Sequence, residues 1–579
     1  MSISFSFFGS SIKKIKRSRL RRIIRGYRLL KQSGQIDLIS SVKQALTEQH
    51  FGLTDKNFYR FLMGAGCSYG EIVVRQYLLI RLGGLSLNQA LLYASGKIGA
   101  KVIYPLPKLW RVTINQHGFK VANFRSSLLW QLYIVGALLY GVLQIAQITF
   151  SGITSRSGKD FKHKRYVYFA NLSGGNLPQG DKEEKSYDIV SWYLNWSGRS
   201  QDIEAIHHSV PNVANKTFGR AELFFQTQII PSLKGSTAII KFIAWGIGAS
   251  FIAFIECLRG NWWHAFLLNQ TALSAQLRSL PKSRLACEYL FHNSGFIYRP
   301  LWTYDAEKVG SKITFYFYST NCESFKTSET EASIMYGWKA MSWPNYLVWD
   351  NRQADFVRMS VGNNCEITIV GSIWFQDSNK KAPVCKGRKV AVFDVTPFRS
   401  SFYCTLGIPE EFYTPDIVNK FLEDIVLLAE RNYSILWKRK RNIGALAHPL
   451  YKSLVHRLDM LKGVVLIDPE ISAVKVIEQS DFVISIPFTS TALIAHSLGK
   501  ASAYYDPTGK IVKTDVAGYG IPLLSNYNEL FHWVSEVCDE KKLTETINHK
   551  QDIKKWMLFS LKPIEKAFLF LHQTVTSAA

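Results

Sequence analysis

From residue 389 onward the chain repeats a pattern that few architectures can absorb: a short, continuous apolar run, then an amphipathic stretch of helical period. KVAVFDV, YSILWK, VVLID, FVISI and ASAYYD are the strand candidates, and PDIVNKFLEDIVLLAERN, PLYKSLVHRLDMLK, ISAVKVIEQS and STALIAHSLG separate them as helices. Strands that are apolar along their whole length are buried on both faces. Parallel neighbours need a crossover, which a helix supplies. Strict alternation of this kind specifies a doubly wound parallel sheet.

A looser version of the same texture starts near residue 160. RYVYFANL, SYDIVSWYLNW, SKITFYFYSTN, YLVWD and CEITIVGSI read as strands, and QDSNKKAPVCKGRK as a polar linker. The expected architecture is therefore α/β, with two Rossmann-like doubly wound domains facing a cleft. The first is expected over 153–383 and the second over 384–579, the latter with added C-terminal helices.

The beginning of the chain differs. Residues 13–31 hold ten basic side chains, from Lys13 to Lys31, and no acid. Beside the apolar segments that follow, this reads as an arm for an anionic membrane surface. The apolar start precedes the basic run, the reverse of a secretory signal. IDLISSVKQALTEQ and NQALLYASGKI carry helical periodicity. No charge then occurs between Arg125 and Arg156, and Leu128–Phe150 offers 23 residues, long enough to cross a bilayer. Gln131, Gln144 and Gln147 inside it suit a partly buried or in-plane helix equally. A second stretch, Ala238–Cys257, contains Lys241 and Glu256. It is expected to be buried or interfacial, because two spans would place the segment between them outside. Residues 1–125 are thus expected to form a basic, mainly helical region, and 126–152 a hydrophobic, membrane-associated segment.

An apolar fraction of 47% supports a sizeable core, and 70 Lys and Arg against 44 Asp and Glu leave a net charge of +26. That excess calls for an anionic partner. No zinc finger, RNP motif or helix-turn-helix signature accompanies it, so nucleic acid is not the expected one. Eight scattered cysteines without a CxxC pair indicate free thiols rather than a zinc cluster or disulfide framework. No DxD pair stands in a plausible loop; neither an obligatory metal nor a cofactor is expected.

In open α/β sheets, ligands bind beyond the carboxyl ends of the strands. The sharpest feature there is SDFVISIPFTSTALIAHSLGK, where Phe482–Ile486 leads through Pro487-Phe488-Thr489-Ser490-Thr491 directly into a helix. Thr489, Ser490 and Thr491 offer hydroxyls and backbone N–H groups at a helix N-terminus, a combination that suits a phosphate; ordinary N-capping is the competing use. Ala447-His448-Pro449-Leu450 places Pro449 in a first helical turn and His448 at the helix entrance. Just upstream, Lys438-Arg439-Lys440-Arg441 could clamp phosphates. Asp468, Glu470 and Asp506 stand near the carboxyl ends of the same strands, where Asp468 and Glu470 could contact a ribose or base.

PFTST after an ISI strand, followed by GK and YYDPTG, resembles the bacterial polysaccharide-biosynthesis proteins named for their PFTS motif. FANLSGGNLP, FHNSGFIYRPLW, FYFYSTN and the run from LIDPE to DPTG carry the resemblance from about residue 160 onward. More distantly, the chain is similar to GT-B-type transferases that use CMP-activated ulosonic acids, the sialyl- and Kdo-transferases. Those hold CMP with a His-Pro motif and a downstream Ser/Thr pair, matched here by His448-Pro449 and Thr489-Ser490. Many sialyltransferases place a Lys directly beside the His-Pro pair. Here Lys438 stands ten residues before His448, which leaves nucleoside-diphosphate sugars open as donors.

The resemblance implies a GT-B-like glycosyltransferase of bacterial surface-polysaccharide (capsule or O-antigen type) assembly. It would work at the cytoplasmic face of the inner membrane, moving a sugar from a nucleotide-activated donor to a glycan or lipid-linked glycan. His448, Lys438, Thr489, Ser490 and Thr491 would hold the donor. An inverting transferase needs a general base. Candidates are Asp188, His207, His208, His292 and Asp305, with Asp188 preferred because Trp and Tyr residues beside it could stack on a sugar. The rival expectation is a non-catalytic, membrane-associated binding or scaffold protein of the same machinery.

Overall fold

The computed structural model describes residues 6–48 and 70–538, apart from 155–164, 180–186, 198–201, 220, 293–297, 320–335, 376, 378–379, 385–386, 400, 403, 405–413, 432, 441–443, 488 and 514–517. Phe488 of the PFTST string, Arg441 of the basic run and the helices expected beyond residue 538 lie outside the described residues. The chain divides into two compact units. The first runs to Asn379 and the second starts at Lys380, with Phe398–Glu411 grouped with the first.

The N-terminal region is helical: α1 (Ser6–Gln32), α2 (Leu38–Thr47), α3 (Gly70–Leu82), α4 (Leu85–Ser95) and α5 (Lys108–Gln116). α1 and α4 pack closely because two glycines face backbone. A Cβ on Gly26 would lie 1.9 Å from the Leu92 carbonyl oxygen, and one on Gly96 would lie 2.3 Å from that of Arg22. Arg22 seals the contact, donating from Nε to the Tyr93 carbonyl (2.9 Å) with its guanidinium 3.9 Å over the Tyr93 ring.

Three longer helices follow: α6 (Asn123–Thr154), α8 (Ser236–Leu258) and α9 (Trp263–Arg278), with the short α7 (Ile189–Ser197) between the first two. α6 and α8 run antiparallel: Ile145 sits at Gly246, and Ile239 and Leu233 sit at Gly152. α9 returns along α6, with Trp130 stacked on Phe266 and Leu268 against Gly141. α9 is buried almost throughout. α8 is not the buried helix that the sequence suggested as one option, since only 22% of its most apolar stretch is covered.

The first unit's sheet contains β1 (Tyr166–Phe169), β2 (Ala205–His208), β3 (Lys216–Phe218), β4 (Ala221–Phe225), β5 (Glu288–His292), β6 (Lys312–Tyr316), β7 (Asn345–Val348) and β8 (Glu366–Ile369). Their order is β3-β4-β2-β1-β5-β6-β7-β8. All pairs are parallel except β3 with β4. The chain builds outward from β1 to β2 and β4, returns through α8 and α9, and resumes at β5 on β1's other side. The switch point therefore lies between β1 and β5. One strand expectation is corrected: SYDIVSWYLNW holds α7, a helix. Asp188 caps its first turn, and Ile189, Val190, Trp192, Tyr193 and Leu194 are all buried, so no amphipathic period marks it.

The second unit's sheet has β9 (Lys389–Phe393), β10 (Ser434–Lys438), β11 (Val464–Ile467), β12 (Phe482–Ser485), β13 (Ala501–Tyr505) and β14 (Leu523–Leu524), in the order β11-β10-β9-β12-β13-β14. Every pair is parallel. This is the doubly wound order in which the first strand is central and the fourth lies beside it. α12 (Pro415–Ala429), α13 (Pro449–Asp459), α14 (Ala473–Gln479), α15 (Ser490–Ser497) and α16 (Tyr527–Cys538) make the connections and cover the faces. Alternate strand residues, Val390, Val392, Ile435, Trp437, Phe482 and Ile484, face α12, α13 and α16 in one core. Two parallel-sheet units in succession are the composition expected of a GT-B-like chain.

Candidate active site

The PFTST turn occupies the switch point of the second sheet, between the carboxyl ends of β9 and β12, where such sheets leave a crevice for ligands. Internal hydroxyl bonds fix the turn. Thr489 Oγ1 donates to the Ile486 carbonyl (3.0 Å) and lies 3.1 Å from Thr491 Oγ1, which is 2.9 Å from Ser485 Oγ. From β13, the Tyr504 hydroxyl reaches the Thr489 carbonyl at 3.4 Å.

These bonds bear on the two uses weighed for the motif. Thr489 is the N-cap residue of α15, yet its side chain makes no capping bond. Its hydroxyl is spent backwards on Ile486. The first-turn amides of α15 are left without a side-chain cap, the condition under which a helix N-terminus takes an anion. Ser490 Oγ has no hydrogen-bond partner among the described residues and is half-buried.

The neighbouring strand ends add charge. Lys438 is the last residue of β10, in register with Phe393 of β9 and Ile467 of β11. It is buried, and its Nζ donates to the Pro469 carbonyl at 2.9 Å. Burial pulls its amine down to about 8, against the upward pull of Asp394. Asp394 follows β9 and is fully enclosed. It accepts from Tyr451 Oη (2.6 Å), Trp437 Nε1 (3.1 Å) and the Lys440 amide (3.3 Å). Burial pushes its carboxyl up to about 6, although all three donors favour the ionised form. Arg439 Nε is buried with no partner among the described residues.

His448 stands at the start of α13, with Pro449 in the first turn. Its amide donates to the Pro397 carbonyl (3.0 Å), which ties it to the loop after β9. Its side chain caps nothing, and Nδ1 is buried without a partner among the described residues. Lys438, His448, Pro449, Thr489, Ser490 and Thr491 thus all lie at the carboxyl end of one parallel sheet. Asp468 and Glu470 sit at its rim and share Lys380, at 2.5 and 2.6 Å. That ammonium holds the Asp468 carboxyl below its usual value. Asp506 is buried and consumed by its own turn, accepting from the Thr508 amide (2.8 Å), the Thr508 hydroxyl (2.6 Å) and the Ile511 amide (3.0 Å).

In the first unit the base candidates are all buried. Asp188 is wholly enclosed. Oδ1 accepts from the amides of Val190 (3.0 Å) and Ser191 (2.9 Å), and Oδ2 from the Ser191 hydroxyl (2.7 Å). It is the N-cap of α7, with its acceptor capacity directed at the helix. His207 and His208 lie inside β2. His207 stacks on Tyr166 at 4.0 Å and bonds Gln226 Oε1 at 2.6 Å, while burial drives His208 down to about 4. Asp305 lies in helix α10 (Trp302–Lys308), paired with Arg278 at 3.0 Å.

His292 differs from these. It ends β5 at the switch point of the first sheet, with Nε2 donating to the Asn171 carbonyl at 3.3 Å. Burial lowers its pKa, so it is a neutral imidazole near pH 7. Asp394, unnoticed in the sequence, organises the second site through partners 43 to 57 residues away. Only the rule that functional groups follow the strand ends could have flagged it.

Residues 245–534, half of the chain, match a family model described as polysaccharide biosynthesis PFTS motif protein. No curated protein matches. Among solved structures, the UDP-GlcNAc 2-epimerase of Methanocaldococcus jannaschii is 10% identical over 65% of this chain and 94% of its own, at a TM-score of 0.34. A glycotransferase of kitacinnamycin is 12% identical over 66% and 93%, at 0.33. The wall teichoic acid polymerase TagF is 10% identical over 74% and 99%, at 0.35. Such scores add nothing to what the strand orders already show.

Proposed function

This chain belongs to the polysaccharide biosynthesis PFTS motif family, and from that premise we propose that it is a glycosyltransferase using a nucleotide-activated sugar. The observation that carries the reading is the PFTST turn. At the β9/β12 switch point it offers the uncapped N-terminus of α15 and the unengaged Ser490 hydroxyl, at the same end of the sheet as Lys438, Arg439 and His448.

The donor's phosphate sits on the α15 amides and Ser490. His448 Nδ1 and the cations Lys438 and Arg439 contribute to the same anion, and Asp468 and Glu470 at the rim serve the ribose or base. The order His448-Pro449, then Thr489-Ser490, favours a CMP-ulosonic acid as donor. The acceptor is a glycan, free or lipid-linked, handled by the first unit at the cytoplasmic face of the bacterial inner membrane. The pathway is that of a surface polysaccharide of capsule or O-antigen type.

The reaction is a direct displacement. A base removes the proton of the acceptor hydroxyl, and that oxygen forms a bond to the anomeric carbon. The bond from that carbon to the phosphate oxygen breaks, and its electron pair leaves with the nucleotide. Fixed amides, a hydroxyl and cations stabilise the departing anion without reorganising, the term that usually dominates such catalysis. His292, neutral and at a strand end, has the protonation state a base needs.

Turnover is the test. Wild-type protein should release CMP from CMP-sugars faster than the Ser490→Ala variant does, with or without acceptor. Absence of nucleotide release from every CMP- and UDP-sugar tried, by folded protein supplied with membrane lipid, would favour the scaffold.

A further inference from the structure

α6 and α8 are each long and apolar enough to cross a bilayer, yet their surroundings oppose crossing. α6 feeds β1, α8 leaves after β4, and α9 brings the chain back to β5, which hydrogen-bonds to β1 in the same sheet. A spanning α6 would put residues 1–122 on the far side of the bilayer from that sheet. They are not there. Tyr77 of α3 packs edge-on against Tyr298, just beyond β5, at 5.3 Å. The return arm α9 has 16 residues, roughly 24 Å of helix, shorter than the ~30 Å hydrocarbon core.

The two helices nevertheless present apolar faces to solvent. On α6, Leu132, Leu139 and Leu143 are each more than half exposed; on α8, so are Ile247, Phe251 and Leu258. The charge along the chain around α6 has one sign, and the single acid of α8, Glu256, is buried against Arg259. Between Glu71 and Asp160 there is no acidic residue and there are ten Lys and Arg. The first 159 residues hold 23 Lys and Arg and four acids, hence 19 of the chain's 26 net positive charges. On α1, Arg17, Arg19, Arg21, Arg25, Arg28 and Lys31 are exposed.

We infer that α6 and α8 lie side by side in the interface of an anionic bilayer, as a monotopic seat, with neither helix crossing and with the N-terminal helices and the first unit's sheet on one face of the membrane. The occupant of the apolar face is the headgroup and upper acyl layer of the lipid. The surrounding arginines and lysines select acidic lipids. The inference deepens the membrane location proposed above and does not depend on the nucleotide chemistry.

The test has two arms. Purified full-length protein is floated with vesicles of phosphatidylcholine alone and of phosphatidylcholine with phosphatidylglycerol. The expected result is co-flotation with the anionic vesicles, at least roughly tenfold weaker for the double variant Leu139→Glu, Phe251→Glu, whose apolar contact is lost. An unchanged melting temperature and unchanged nucleotide binding would show the variant folded. In the second arm, sealed inside-out membrane vesicles from an expression host are treated with protease. Epitopes at both the N- and C-termini should be removed together. Removal of one and protection of the other means that a helix spans, and overturns the inference. A stable dimer that floats with neither vesicle would assign the apolar face to a second copy instead. Nucleotide binding that fails while flotation succeeds would sink the transferase reading and leave the seat intact.

Discussion

Lys438 offers a quantitative handle on the donor site, because burial gives its amine an unusual value within an accessible pH range. Held at about 8, it is about 90% charged at pH 7 and about 3% charged at pH 9.5, whereas an ordinary lysine stays mostly charged throughout. If this ammonium meets the donor phosphate, nucleotide affinity falls by as much as roughly 30-fold between those pH values, about 2 kcal/mol. A nucleotide monophosphate is already dianionic above pH 7, its second ionisation lying near pH 6, so the window isolates the protein. Calorimetry across pH 7–9.5 reads the effect directly. Lys438→Arg should bind with a flat profile and Lys438→Met weakly with a flat profile. The methionine variant should not be less stable at pH 7. The folded pKa is depressed below the unfolded one, so the buried charge costs stability below pH 8 and the cost is relieved as pH rises through 8 to 10.5. A flat wild-type profile, or a fall equally steep in Lys438→Arg, would refute the argument.

Three further outcomes follow from the packing. Asp188→Ala should cost about 1–2 kcal/mol in denaturant unfolding through loss of the α7 cap, and leave nucleotide affinity unchanged; a selective loss of turnover in a stable protein would reinstate it as the base. Gly26→Ala should destabilise by at least about 1–3 kcal/mol, because the new methyl lands on the Leu92 carbonyl; thermal melting checks it, and an unshifted melting point would mean that α1 does not rest on α4. Tyr451→Phe should cost about 1–3 kcal/mol by removing one of the three donors to the enclosed Asp394 carboxylate; a variant as stable as wild type would show that the carboxyl is not ionised there.

The second unit was readable from sequence because its strands are buried on both faces, so each appears as an unbroken apolar run between helical stretches. Val390–Phe393 and Phe482–Ser485 are of this kind, and the PFTST turn fell where the alternation put it. In the first unit the same cue misled. Ile189–Leu194 is equally apolar because α7 is enclosed all round, and a run of that length does not distinguish strand from helix. AIHHS hid β2, since two histidines look polar until Tyr166 and Gln226 are seen to enclose one of them. Asp188 looked available because the capping bonds it makes are invisible without knowing that a helix begins there. The amide-rich turn was legible as a local string. Asp394 was not, because Trp437, Lys440 and Tyr451 converge on it only once the sheet is assembled.

The most direct measurement is calorimetric binding of CMP, UMP, UDP, GDP and ADP to wild-type protein and to Ser490→Ala. The account predicts that CMP binds best, and that the alanine variant, which loses a hydroxyl unengaged within the protein, binds it about 5- to 30-fold more weakly with unchanged stability. Failure of every nucleotide to bind folded protein in the presence of anionic lipid, or equal binding by the Ser490→Ala variant, would contradict it.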